Sequence, residues 1–114
     1  MTVPPVEIVR ESFASYLNRD RDAAERLLAE AFVFTSPQDD HIDRRTYFVK
    51  CFPTADRFRD FQLLHVVPGV DDEHVVAVYE YELDNGERYR NAELYTVRDD
   101  QVAEVEVFFG GRVG

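Results

Sequence analysis

The stretch VVAVYEYELDNGERYRNAELYTVR, Val75 to Arg98, alternates apolar and polar side chains on both sides of an Asn85-Gly86 step. Period two over runs of this length is the signature of half-buried strands, and Asn-Gly between them marks a hairpin. The reading is therefore a strand over Val75–Asp84, a turn, and a strand over Arg88–Arg98. Charge chooses the register. A three-residue loop sets Asp84 opposite Arg88 and Glu82 opposite Arg90 on one face. The other face then pairs Tyr81 with Asn91 and Tyr79 with Glu93. A two-residue turn would put Tyr81 beside Arg90 and separate those charges. Opposite charges across strands contribute about 0.2–1 kcal/mol a pair, and a one-residue slip would turn the whole apolar set outward. The three-residue loop is expected.

The alternation continues on either side. Strands are expected at Phe61–Val67 and Val102–Phe109, joined through the turns Pro68–His74 and Asp99-Asp100. In the last hairpin Val105, Val107 and Phe109 should lie inward beside Tyr95, Glu93 and Asn91, with Glu104, Glu106 and Phe108 outward. The other register would press Glu93 against Glu106, and two adjacent interior carboxylates would force one to keep a proton.

Earlier in the chain the period is helical. Pro4 and Pro5 suit the first turn of a helix whose Val6, Val9, Phe13, Tyr16 and Leu17 share a face. Asp22-Ala23-Ala24-Glu25 reads as a capping-box variant opening a second helix, with Ala24, Leu27, Leu28 and Ala31 inward. Phe32–Thr35 is a short strand ended by Ser36-Pro37. Asp43 is the expected N-cap of a third helix, carrying Tyr47, Phe48, Cys51 and Phe52 on one face and closed by Pro53. A further helical turn is expected within 54–60. Helices segregated from strands in this way mean α+β, with the helices against one face of a curved, mainly antiparallel sheet.

Composition bounds the rest. At 114 residues the chain is read as one domain, 1–114. Its formal charge is −10, from 23 acidic and 13 basic residues, which argues against nucleic-acid and membrane-surface binding. Neither a signal peptide nor a membrane span is evident, so a cytoplasmic protein is the default. Cys51 is the only cysteine, which excludes an internal disulfide and a cysteine-based zinc cluster. His65 and His74 lie on elements separate from His41, so no metal site is expected.

The element order, with LNRDRDAAERLLAEAFVFTSP early and VAEVEVFFG late, resembles the nuclear-transport-factor-2-like superfamily, in particular its SnoaL-like and ketosteroid-isomerase-like branches. The resemblance covers essentially the whole chain. It implies a cone, in which a strongly bent sheet wraps three helices and encloses a pocket, and it implies homodimerisation through the outer sheet face. Ketosteroid isomerase uses an aspartate base together with an oxyanion hole of a tyrosine and a protonated aspartic acid. Carried onto this chain, the tyrosine falls on Phe13, the base on Ser36 and the protonated acid on Glu93. Only the last keeps its chemistry, and serine is no general base at neutral pH without an activating neighbour.

Glu93 is accordingly the first candidate, either as an acid and ligand anchor or as a carboxyl satisfied by tyrosines inside a polar-lined core. His41 beside Asp40 is the candidate base with its orienting acid, whereas Asp39 is read as a solvated turn before the Asp43 cap. His65 is read as a core histidine. Expected around a ligand are Phe13, Tyr16, Phe34, Ser36, Tyr47, Cys51, Tyr79, Tyr81, Asn91, Tyr95, Val107 and Phe109. So many inward tyrosines exceed what packing alone favours, because each buried hydroxyl needs a partner. That suits a hydrophobic or aromatic small molecule. Outward Val76, Val78, Leu94 and Phe108 would leave an apolar patch fit for a second copy. Two functions stay open: cofactor-independent isomerase, lyase or hydrolase chemistry by acid and base, or a non-catalytic ligand-binding or protein-interaction module.

Overall fold

A computed structural model describes residues 3–114. Helix α1 spans Pro5–Leu17 and helix α2 Arg21–Leu27; strand β1 is Leu28–Thr35 and strand β2 Ile42–Asp43. Helix α3, Arg44–Lys50, runs into a 3-10 turn over Phe52–Arg57. Strands β3 (Phe58–Pro68), β4 (His74–Leu83), β5 (Arg88–Arg98) and β6 (Gln101–Arg112) complete the chain. The six strands form one sheet in the order β2-β1-β6-β5-β4-β3. Every pairing is antiparallel except β1 with β6. The sheet does not close, and the three helices pack on one face of it as an open α+β cone.

Local chemistry explains the helices. Pro5 occupies the first position of α1, where a missing N–H costs nothing. Asp43 caps α3 by accepting from the Thr46 amide at 2.9 Å. Helix α2 is capped by Asp20 rather than within Asp22–Glu25: its carboxylate accepts from the Ala23 amide at 3.1 Å. This helix is also shorter than its spacing predicts. At Leu28 the backbone turns extended (φ −91°, ψ 130°), and residues 28–31 join β1, with Leu28 beside Val102 and Ala31 exposed. Pairing with β6 outweighs the helical spacing of Leu27, Leu28 and Ala31. The turn after Pro53 is 3-10, and β3 begins at Phe58, three residues before the first residue of strand expected from alternation.

The hairpin between β4 and β5 has the expected three-residue loop, but the loop is 84–86. Glu82 faces Arg88, Tyr81 faces Tyr89, Tyr79 faces Asn91 and Ala77 faces Glu93. Gly86 (φ +87°) supplies the left-handed residue that ends such loops, so the loop closes one residue earlier than the charge pairing suggests. Since the shift is two in register, each side chain keeps its face. The ionic ladder survives with new partners: Arg88 reaches Glu82 at 2.8 Å and Glu80 at 3.2 Å, and Arg90 reaches Glu80 at 2.9 Å. Between β5 and β6 the expected register holds, with Asn91 beside Phe109, Glu93 beside Val107 and Tyr95 beside Val105. Bulges at Leu63/His65 and Thr96/Val97 bend the sheet around the helices.

The core lies between sheet and helices: Ile8, Val9 and Phe13 of α1 meet Val75, Ala77, Tyr95, Val97, Val102 and Val105. His65 points to solvent and is no part of it. On the opposite sheet face Val76 and Phe108 are 37% and 52% exposed. Among the described residues no helix is long and apolar enough to cross a membrane.

Candidate functional site

A cavity of about 660 Å³ lies between the helices and the inner face of the sheet. Helix α1 contributes Phe13 and Tyr16, β1 contributes Phe34 and the Ser36 that follows it, and α3 contributes Tyr47 and the adjoining Cys51. Strands β4 to β6 add Tyr79, Tyr81, Asn91, Glu93, Tyr95, Val107 and Phe109. The alternation of β5 is what brings Asn91, Glu93 and Tyr95 to one wall. Phe13 sits against the wall, its ring 5.4 Å from Tyr79 and 5.7 Å from Tyr95.

Glu93 is surrounded by protein yet keeps part of its surface toward the cavity. Its Oε2 accepts from the Tyr79 hydroxyl, and its Oε1 accepts from the Tyr95 hydroxyl at 2.8 Å. The Asn91 amide donates in turn to the hydroxyls of Tyr79 (3.3 Å) and Tyr81 (3.4 Å), while its Oδ1 accepts from the Gly110 amide at 3.3 Å. Burial raises the Glu93 pKa above the ordinary 4.5, and the two phenol donors offset only part of that rise. The phenols of Tyr79 and Tyr95 are raised as well, first by burial and then by the adjacent carboxyl. This cluster therefore changes charge at one group, Glu93.

The other tyrosines differ in what their hydroxyls do. Thr54 donates to the Cys51 carbonyl at 2.5 Å, so Tyr16, 2.5 Å from Thr54 Oγ1, is the donor in that pair. Burial pushes Tyr16 to about 12. Tyr47 packs its ring against Phe32 and Phe34, each at 5.2 Å, and its pKa is raised by burial. Its hydroxyl has no hydrogen-bond partner among the described residues, and it borders the cavity. A ligand can complete it. Cys51 is half-buried, and burial pushes its thiol to about 11, which leaves it a poor nucleophile.

The loop after β1 rearranges the expected assignments. Asp40 and His41 pair with each other at 2.6 Å, but their side chains are 88% and 67% exposed and do not line the cavity. His41 adopts φ +50°, a left-handed turn that carries its ring outward. Its pKa is raised by the hydrogen bond to Asp40. Asp39 is the acid that turns inward: it lines the cavity, is 12% exposed at its side chain, and holds Lys50 at 2.6 Å. Nothing in the sequence distinguishes Asp39 from Asp40, because the direction of a turn depends on the tertiary frame. Ser36 lines the cavity, but its Oγ accepts from the amides of Gln38 and Asp39, both at 3.2 Å. Its hydroxyl shapes the turn. Thr54, Arg57, Phe58, Phe61 and Tyr89 also border the cavity. Of these, Phe61 was legible in principle, since it pairs with the inward Tyr81. Among the described residues no three His, Cys, Asp or Glu side chains are grouped to hold a metal.

An open α+β cone with a ligand-sized internal cavity is the architecture that fold and site define. Residues 9–105 match the SnoaL-like domain, and the chain belongs to that family. Its fold is like that of an NTF2-like protein from Cytophaga hutchinsonii, which aligns with 17% identity over 96% of this chain and 92% of its own, with TM-score 0.76. Solved structures agree on the fold. A protein from Kribbella flavida aligns with 20% identity over 93% of this chain and 86% of its own, with TM-score 0.82. A Δ5-3-ketosteroid isomerase from Mycobacterium sp. aligns with 17% identity over 94% and 93%, with TM-score 0.73. A computationally designed 17-OHP binder aligns with 13% identity over 96% and 93%, with TM-score 0.73. Comparison with curated proteins by sequence gives no match.

Proposed function

We propose that this protein binds a hydrophobic or aromatic small molecule in the cavity, with Glu93 and Tyr47 as the groups that fix its polar end. The observation that carries this reading is the Tyr47 hydroxyl, which has no hydrogen-bond partner among the described residues and opens onto the cavity that Glu93 also lines. A hydrogen bond to that hydroxyl is worth about 0.5–1.5 kcal/mol net, so the site favours a molecule that accepts from it. The apolar rings of Phe13, Phe34 and Phe61 supply the rest of the contact. The enzymatic form of the reading is acid–base chemistry without a cofactor, of isomerase, lyase or hydrolase type. Glu93 exchanges the proton in that form, its raised pKa bringing it nearer the working range of a general acid. Asp40 and His41 are withdrawn from this role because they face solvent.

The test is a thermal-shift and calorimetric screen of small aromatic and terpenoid compounds, repeated with Glu93→Gln and Tyr47→Phe. Stabilisation in the parent that falls in both variants supports the site. No response to any compound in the parent counts against it. Loss of ligand hydrogen to deuterated solvent, followed by NMR, separates turnover from binding alone.

A second reading is a non-catalytic module that dimerises through the sheet. It draws on the exposed Val76 and Phe108 and on the diversion of the Ser36 hydroxyl into its own turn. A monomer by light scattering at micromolar concentration speaks against it.

A further inference from the structure

Four side chains of opposite sign line the cavity: Asp39, Lys50, Arg57 and Glu93. Glu93 is enclosed between its tyrosines, whereas Lys50 and Arg57 are exposed at the opening. The opening thus carries two cations against one carboxylate, in a chain of formal charge −10. Many of the other arginines spend their charge on acids, as Arg19 does on Asp56 at 2.9 Å, Arg59 on Glu82 at 2.8 Å and Arg98 on Glu73 at 2.9 Å. Arg26, Arg44 and Arg45 form no ion pair among the described residues, and they lie away from the cavity. Arg57 forms no ion pair among the described residues, although it sits beside the cavity. Lys50 is held at 2.6 Å by Asp39, and Asp39 is fixed from its backbone: the Ser36 amide donates to its carbonyl at 2.7 Å. The turn therefore keeps the ammonium beside the cavity instead of leaving it to roam in water.

We propose that the cavity takes an amphipathic anion, with a flat apolar body inside and a carboxylate at the opening against Arg57 and Lys50. This rests on the ligand-binding reading above and specifies the class of ligand. Charge allows one orientation. The enclosed end already holds the carboxyl of Glu93, and a second anion there would meet like charge where screening is weakest. The inner end takes a neutral acceptor on Tyr47. At the opening the Arg57 guanidinium offers a planar fork matched to a carboxylate, and Lys50 adds a point charge. Asp39 competes for that ammonium, so it sets the affinity lower than the two cations alone would give.

Calorimetry with a matched pair of probes tests this: 3-(2-naphthyl)propanoate and its primary amide, alike in shape and different in charge. The carboxylate is expected to bind about fivefold tighter, the scale of an exposed ion pair, with the gap closing as salt rises. Arg57→Gln should shrink the gap and leave the amide unchanged. Asp39→Asn should widen it by freeing Lys50. Equal affinities in the parent, or a gap that persists in an Arg57→Gln, Lys50→Gln double variant, overturn the anionic class while the cavity stays a binding site. Binding of neither probe overturns both. Melting temperatures of the variants, all altered at or near the surface, show that each is folded.

Discussion

Replacing Tyr95 with phenylalanine removes one hydroxyl and preserves the ring that packs 5.7 Å from Phe13. That hydroxyl is one of two phenols donating to Glu93, at 2.8 Å to Oε1. A hydrogen bond to an ionised group is worth about 1.5–3 kcal/mol, against about 1 kcal/mol between neutral partners. The difference, about 0.5–2 kcal/mol, appears as a further rise in the Glu93 pKa. The sign follows from linkage. Glu93 is already raised above the ordinary 4.5, so its contribution is fully present below that value and is lost as pH climbs through the folded one. In the variant the folded value is higher, so the loss continues over a wider span. The cost of Tyr95→Phe is therefore about 1 kcal/mol at low pH and about 1.5–3 kcal/mol once Glu93 is ionised in both proteins. Urea unfolding followed by far-UV circular dichroism, between about pH 5 and pH 9, measures it. In a Glu93→Gln background the cost should not vary with pH. A cost that is flat in the parent, or shrinks as pH rises, refutes the reasoning.

Three further outcomes are expected. Phe32, 1% exposed and edge-on to Tyr47 at 5.2 Å, should cost about 3–5 kcal/mol when changed to alanine, read from urea midpoints. A methyl group at Gly110 would stand 2.2 Å from the Arg90 carbonyl oxygen, so Gly110→Ala should force β6 away from β5. Faster amide exchange at Asn91 and Phe109 would report that, and unchanged exchange would count against it. Cys51, pushed up to about 11, should react slowly with an aromatic disulfide reagent at neutral pH, speeding about tenfold per pH unit below that value.

The faces of β4, β5 and β6 were legible because side-chain direction has period two and is indifferent to a register error of two. The hairpin shows this: the loop is 84–86, yet Tyr79, Asn91, Glu93 and Tyr95 all line the cavity. Charge pairing was the weaker guide there, since arginine is long enough to reach Glu80 or Glu82 from several registers. Residues 28–31 were illegible for a different reason. Their apolar spacing fits a helix, and only the distant β6 makes them a strand. Strand β2 is two residues long and carries no periodicity of its own. Asp39 and Asp40 are chemically the same, and which of them turns inward is decided by a three-dimensional frame that local sequence does not encode.

The side-by-side, same-direction pairing of β1 with β6 has a consequence for synthesis. Leu28 and Phe34 lie beside Val102 and Val105, more than seventy positions later in the chain. During translation β1 lacks its β6 neighbour until Val102 to Val105 have left the ribosome. That side of β1 therefore closes only after β6 is made, and a product stalled or shortened before β6 would offer its first strand to whatever else is at hand.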